Sequence, residues 1–165
     1  MMKKVILIST ILVFSAINCK EKSADSNSYM GQMANDPKLS ENNITKLVRV
    51  DDLHVAFDFM SMPYHMQMMK LMHADMKHVE GATHGLMITV MDYHTKKIIK
   101  EAQVLLSITD PTGKVSQYES EIISGAGMHH YAAHLTASQQ GKYLIIANIK
   151  YRGKTYIAKT EFSNQ

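Results

Sequence analysis

The chain has 165 residues, enough for one domain with extensions, and its 18 basic and 15 acidic residues give a formal charge of +3. A single cysteine excludes any internal disulfide, so the soft side chains that remain in number are fourteen methionines, beside nine histidines. Removing residues 1–18, which hold Lys3, Lys4 and no acid, leaves 16 basic and 15 acidic residues, a charge of +1 that excludes the balance typical of nucleic-acid binding.

Lys3 and Lys4 form a positive start, Val5 to Phe14 is an apolar run, and small or polar residues follow up to Cys19. The run is too short to span a membrane and reads as a secretory signal over residues 1–18. Ala16-Ile17-Asn18-Cys19 resembles the lipobox of bacterial lipoproteins, with Ala16 and Asn18 in place of the usual Leu and small residue. The resemblance implies an N-terminal lipid on Cys19, a protein held to a membrane of the cell envelope, and a chain that works outside the cytoplasm. Residues 19–45 are polar and read as a flexible tether, with the folded domain expected over 46–165.

Leu53 to Phe59 alternates, with Val55, Phe57 and Phe59 on one face of an expected strand. A helix is then expected near 62–78, opened by Pro63 in its first turn. At about 100° per residue, Met62, His65, Met66, Met69, Met72, His73 and Met76 share one stripe, with Tyr64 and Gln67 opposite. Every member is a thioether or an imidazole, where an ordinary amphipathic helix carries Leu or Ile. Such a stripe is either an adaptable core face or a surface for a soft ion, since thioethers favour Cu(I) and imidazoles suit copper and zinc.

Short strands follow. His84 to Met91 is apolar on both faces, with Leu86, Ile88 and Val90 on one and Met87 and Met91 on the other. Ala102 to Thr109 comes next, then a turn at Asp110-Pro111-Thr112-Gly113, a polar strand over 115–122, and a loop at 124–127. Met128 to Leu135 and a hairpin from Tyr143 to Phe162 complete the set, with Leu144 or Ile146 expected inside. About seven strands at this spacing predict a mainly β protein, an immunoglobulin-like antiparallel sandwich with one Met/His-rich helix. Gly141-Lys142-Tyr143 resembles the approach to a tyrosine corner. No phosphate loop, nucleophile elbow or zinc-protease motif occurs, and the expectation is a protein that is not an enzyme.

Spacing limits which residues can share an ion. His65 and Met69, or Met69 and His73, lie four apart on the helix and can face one point. His65 and His73 are separated by roughly 12 Å along its axis and cannot. Ligands from elsewhere are needed, and the candidates are His84, Met87, Met91, Met128, His129, His130 and His134. His130 and His134 share a strand face but stand roughly 13 Å apart, and His129 points to the other face. The helix should fold back over the Met87/Met91 face, with a copper site at the seam. In an oxidising compartment Met and His bind copper without forming disulfides.

From Val55 to Phe162 the chain resembles small extracytoplasmic immunoglobulin-like bacterial proteins, the YtkA-like domains and their Met/His-rich relatives. The segments that carry the likeness are HMQMM at 65–69, THGLMITVMD at 83–92, ITDPTGK at 108–114, GMHHY at 127–131 and GKYLI at 141–145. The resemblance implies a β-sandwich and a role in handling metal, copper above all, for buffering, delivery or tolerance. The expected partners are the membrane, through the lipid, and a metal-transport or other partner protein. The alternative is a surface lipoprotein whose Met-rich helix docks a protein.

Overall fold

The computed structural model describes residues 43–74, 79–125 and 127–164. The signal segment, Cys19, most of the tether and Met76 lie outside the described residues. The elements run β1 (Asn43–Val50), β2 (Leu53–Ser61), α1 (Met62–Leu71), β3 (His84–Asp92), β4 (Gln103–Thr109), β5 (Val115–Glu119), β6 (Glu121–Gly125), β7 (Met128–Leu135), β8 (Gly141–Tyr151) and β9 (Lys154–Asn164).

Two antiparallel sheets form an open sandwich, ordered β1-β2-β3-β7-β6 and β5-β4-β8-β9. Leaving β1 aside, this is the immunoglobulin strand order, with β5 as the extra strand beside β4. Alternation fixes the inward faces. Val55, Phe57 and Phe59 of β2, Leu86, Ile88 and Val90 of β3, and Val104, Leu106 and Ile108 of β4 are all buried in one core. Burial of each such side chain stabilises the fold by about 1.5–3 kcal/mol before conformational entropy is counted. On β8 the inward set is Tyr143, Ile145, Ala147 and Ile149, so Leu144 and Ile146 point outward, opposite to expectation. Tyr143 sets that parity. Its Oη accepts from the Gln139 N–H at 3.2 Å and donates to the Gln139 carbonyl at 3.0 Å, which is a tyrosine corner.

Among the described residues nine strands stand where about seven were expected. β1 begins at Asn43 and takes in residues 43–45 of the expected tether, pairing with β2 from Leu53 to Met60. The single polar strand expected over 115–122 is two. The chain leaves β4 after Glu119 and crosses to β7, and Ser120 Oγ donates to the Val104 carbonyl at 2.7 Å at the crossing. Ser124 and Gly125, read as loop, belong to β6.

α1 is shorter than the span 62–78. Pro63 sits in the first turn, where its missing N–H leaves nothing unpaired, and the Met62 N–H donates to the Thr83 carbonyl at 2.9 Å. At the far end the Ala74 N–H reaches the Met69 carbonyl at 3.0 Å and the His73 N–H reaches the Lys70 carbonyl at 3.2 Å. His73 has φ +51°. This is a Schellman turn with a histidine where glycine is usual, and it ends the helix at Leu71.

Candidate metal centre

The outer face of the five-stranded sheet follows from its register. Met60 lies beside Gly85, which pairs with His134. Asp58 lies beside Met87, which pairs with Ala132, and Ala132 pairs with Glu121. One pleat further, the Thr89 hydroxyl meets His130 Nδ1 at 2.8 Å, and His130 pairs with Ile123. α1 lies over this face. Tyr64, Met68, Met69 and Met72 form with Met60, Met87, Ile123 and Ala132 a second buried cluster, separate from the sandwich core, with Met128 packed against it.

Two glycines seat the helix. A Cβ on Gly85 would lie 2.5 Å from Cγ of His65, so the imidazole rests directly on the β3 backbone. A Cβ on Gly125 would collide with the Met72 carbonyl, so the end of the helix rests on β6. These two contacts turn Tyr64 and Met68 inward beside His65, Met69 and Met72 and leave Met62 and Met66 half-buried on the flank. The buried face is therefore rotated from the expected stripe, and Tyr64, placed opposite it, is inside. A docking face of methionines on α1 would consist of Met62 and Met66 alone among its described side chains.

The sequence candidates divide by face. His65, Met69, Met72, Met87 and His130 are buried in the layer, and Met128 is at its edge. His73 is exposed on the far side of its turn. His84 lies on the opposite face of β3, stacked on Phe59 with ring centroids 4.8 Å apart. His129 also faces the other way, as expected from its place beside His130. Its Nδ1 meets the Ser124 hydroxyl at 2.7 Å and its ring abuts Tyr131. Strand parity keeps both out of the layer. Met60 and Met68, outside the expected set, are inside it; the alternation Met60-Asp58-Ala56 against Phe59-Phe57-Val55 is the signal for the first. His134, one of the candidates on β7, lies at the rim of the layer, with its ring edge-on to His65 and centroids 5.4 Å apart.

The layer holds His65 and His130 neutral. Burial, with smaller contributions from His134 and His130, lowers the pKa of His65 to about 4. Burial and then His129 lower that of His130 to about 4. His130 Nε2 is buried and has no hydrogen-bond partner among the described residues. A neutral ring whose Nδ1 is fixed by a hydroxyl and whose Nε2 is left over has the arrangement of a metal-ligating histidine with its outer partner in place. Among the described residues no three His, Cys, Asp or Glu side chains group to hold an ion. Any ion held here must draw on thioethers.

No family model matches the chain, and no curated protein matches it by sequence. Solved structures do. A DUF4426 family protein from Pseudomonas aeruginosa superimposes with a TM-score of 0.56 at 21% identity, over 73% of this chain and 97% of that one. FetP of uropathogenic Escherichia coli, expressed in the periplasm, gives 0.58 at 12% identity over 74% and 94%. A copper-bound variant of FetP gives 0.55 at 11% identity over 74% and 95%. The likeness is one of fold. The resemblance drawn from sequence motifs is met by these neighbours as a β-sandwich. No helix among the described residues is long and apolar enough to cross a membrane.

Proposed function

We propose that this protein binds copper in the cell envelope, without catalysis, in the Met/His layer between α1 and the five-stranded sheet, and that a lipid on Cys19 holds it to the membrane. The observation that carries the reading is His130, whose buried Nε2 is left over beneath a helix that brings methionines to the same face. Thioethers favour Cu(I), and a mixture of thioether and imidazole donors suits copper better than magnesium or calcium, which prefer oxygen. His130 with Met87 and Met69 would hold the ion, and Thr89 would orient the imidazole. The ion's own contribution is its affinity for soft donors, which keeps it sequestered. A copper-bound variant of FetP shares this fold, which is compatible with the reading.

The test is a Cu(I) titration against a competing chelator. His130→Gln combined with Met87→Leu should weaken binding by well over tenfold, about 1.4 kcal/mol or more, because it removes donors while keeping side-chain volume. The metal-free melting temperature should stay near that of the wild type. If the double variant loses stability but keeps its affinity, the layer is core and the copper reading fails.

A further inference from the structure

We propose that His134 is the port through which metal enters and leaves the layer, passing between it and His65. This rests on the copper reading above. Among the described residues three histidines meet the layer and differ in access: His65 is 0% exposed, His130 is 9% exposed, and His134 is half-buried at the rim. Gly85 places the first and third together. It pairs with His134 across the β3–β7 ladder, and its missing side chain lets the His65 ring lie on the same spot.

The geometry suits transfer. A metal–nitrogen bond of about 2.0 Å, with the ring centre roughly 1.2 Å behind the nitrogen, puts each centroid about 3.2 Å from a bound ion. Two imidazoles sharing one ion at a tetrahedral angle are then about 5.2 Å apart between centroids. The observed separation is 5.4 Å, close to that value. His130 and His134 stand four residues apart on β7, too far to share an ion. His65, fully buried, lies directly inside the half-buried His134. At the other end of the helix the Met72 carbonyl rests on Gly125.

Stopped-flow exchange of Cu(I) with a coloured chelator, using the protein as the cell makes it, tests the port. His134→Gln should slow uptake and release alike by tenfold or more and change the equilibrium affinity less than threefold. His134→Met, which restores a soft donor at the rim, should recover most of the rate. His130→Gln should do the reverse, weakening affinity with little effect on the rate of uptake. Unchanged rates in His134→Gln, with wild-type affinity intact, overturn the port alone. An affinity loss in His134→Gln as large as that of His130→Gln also overturns it, making His134 a resident ligand. Absence of Cu(I) binding by the wild type overturns the port together with the function on which it rests.

Discussion

The ring of His65 occupies the space that a side chain at residue 85 would fill, with Cγ 2.5 Å from where the Cβ would stand. Gly85→Ala therefore cannot be accommodated without lifting the helix or turning the ring, and overpacking of this kind costs about 1–3 kcal/mol. Gly125→Ala should cost at least as much, because the atom in its way is the backbone carbonyl of Met72, which has no rotamer to change. Thermal or urea denaturation of the two variants measures this. Wild-type stability in both would mean that α1 does not sit on this face.

Acid should loosen the helix layer. The ordinary histidine value is 6.5, and in the fold His65 and His130 titrate near 4. Between these values the unfolded chain binds more protons than the folded one. Stability from the two neutral rings is therefore complete above about pH 6.5 and is lost as the pH falls towards 4, by at most on the order of 3 kcal/mol for each. Denaturant midpoints taken from pH 7 to pH 4 should fall, and His65→Gln should flatten the curve. A wild-type midpoint constant over that range contradicts the burial of both rings.

His73 holds the left-handed position of the helix-ending turn. A non-glycine residue there costs about 1–2 kcal/mol, partly offset by the freedom glycine gives the unfolded chain, about 0.5–1 kcal/mol. His73→Gly should thus raise stability by up to about 1 kcal/mol. Its imidazole is exposed, so Cu(I) affinity should not change. A tenfold loss of affinity in that variant would restore His73 to the ligand set.

Lipidation is checked by mass spectrometry of the membrane fraction, which should give an acylated N-terminus at Cys19. A mature chain that starts elsewhere and keeps a free thiol would remove the anchor from the proposed function.

Period-two alternation was enough to place β2, β3 and β4 and to assign their inward faces, because each buries one full side in the core. The apolar character of β3 on both sides likewise foretold a helix covering Met87. β1 carries a weaker signal. It is an edge strand with Leu47 exposed and only Ile44, Val48 and Val50 packed against the core, so its alternation fades into the polar segment before it. On β8 the run Leu144 to Ile146 is apolar at every position, and only the tyrosine corner decides which side turns in. The length and rotation of α1 are tertiary facts. A helical wheel contains neither Gly85, Gly125 nor the left-handed backbone of His73, and these fix where the helix stops and which residues it buries.

Among the described residues the five buried methionines, Met60, Met68, Met69, Met72 and Met87, all belong to the helix layer, and the sandwich core contains none. An oxidant converts a thioether to a sulfoxide, which is polar, chiral and reversible by enzymatic reduction. Such damage would strike the cover of the sheet and leave its aliphatic and aromatic interior untouched. The molecule is in this sense divided into a part that oxygen chemistry can alter and a frame that it cannot, and a damaged layer would have an intact surface on which to close again after repair.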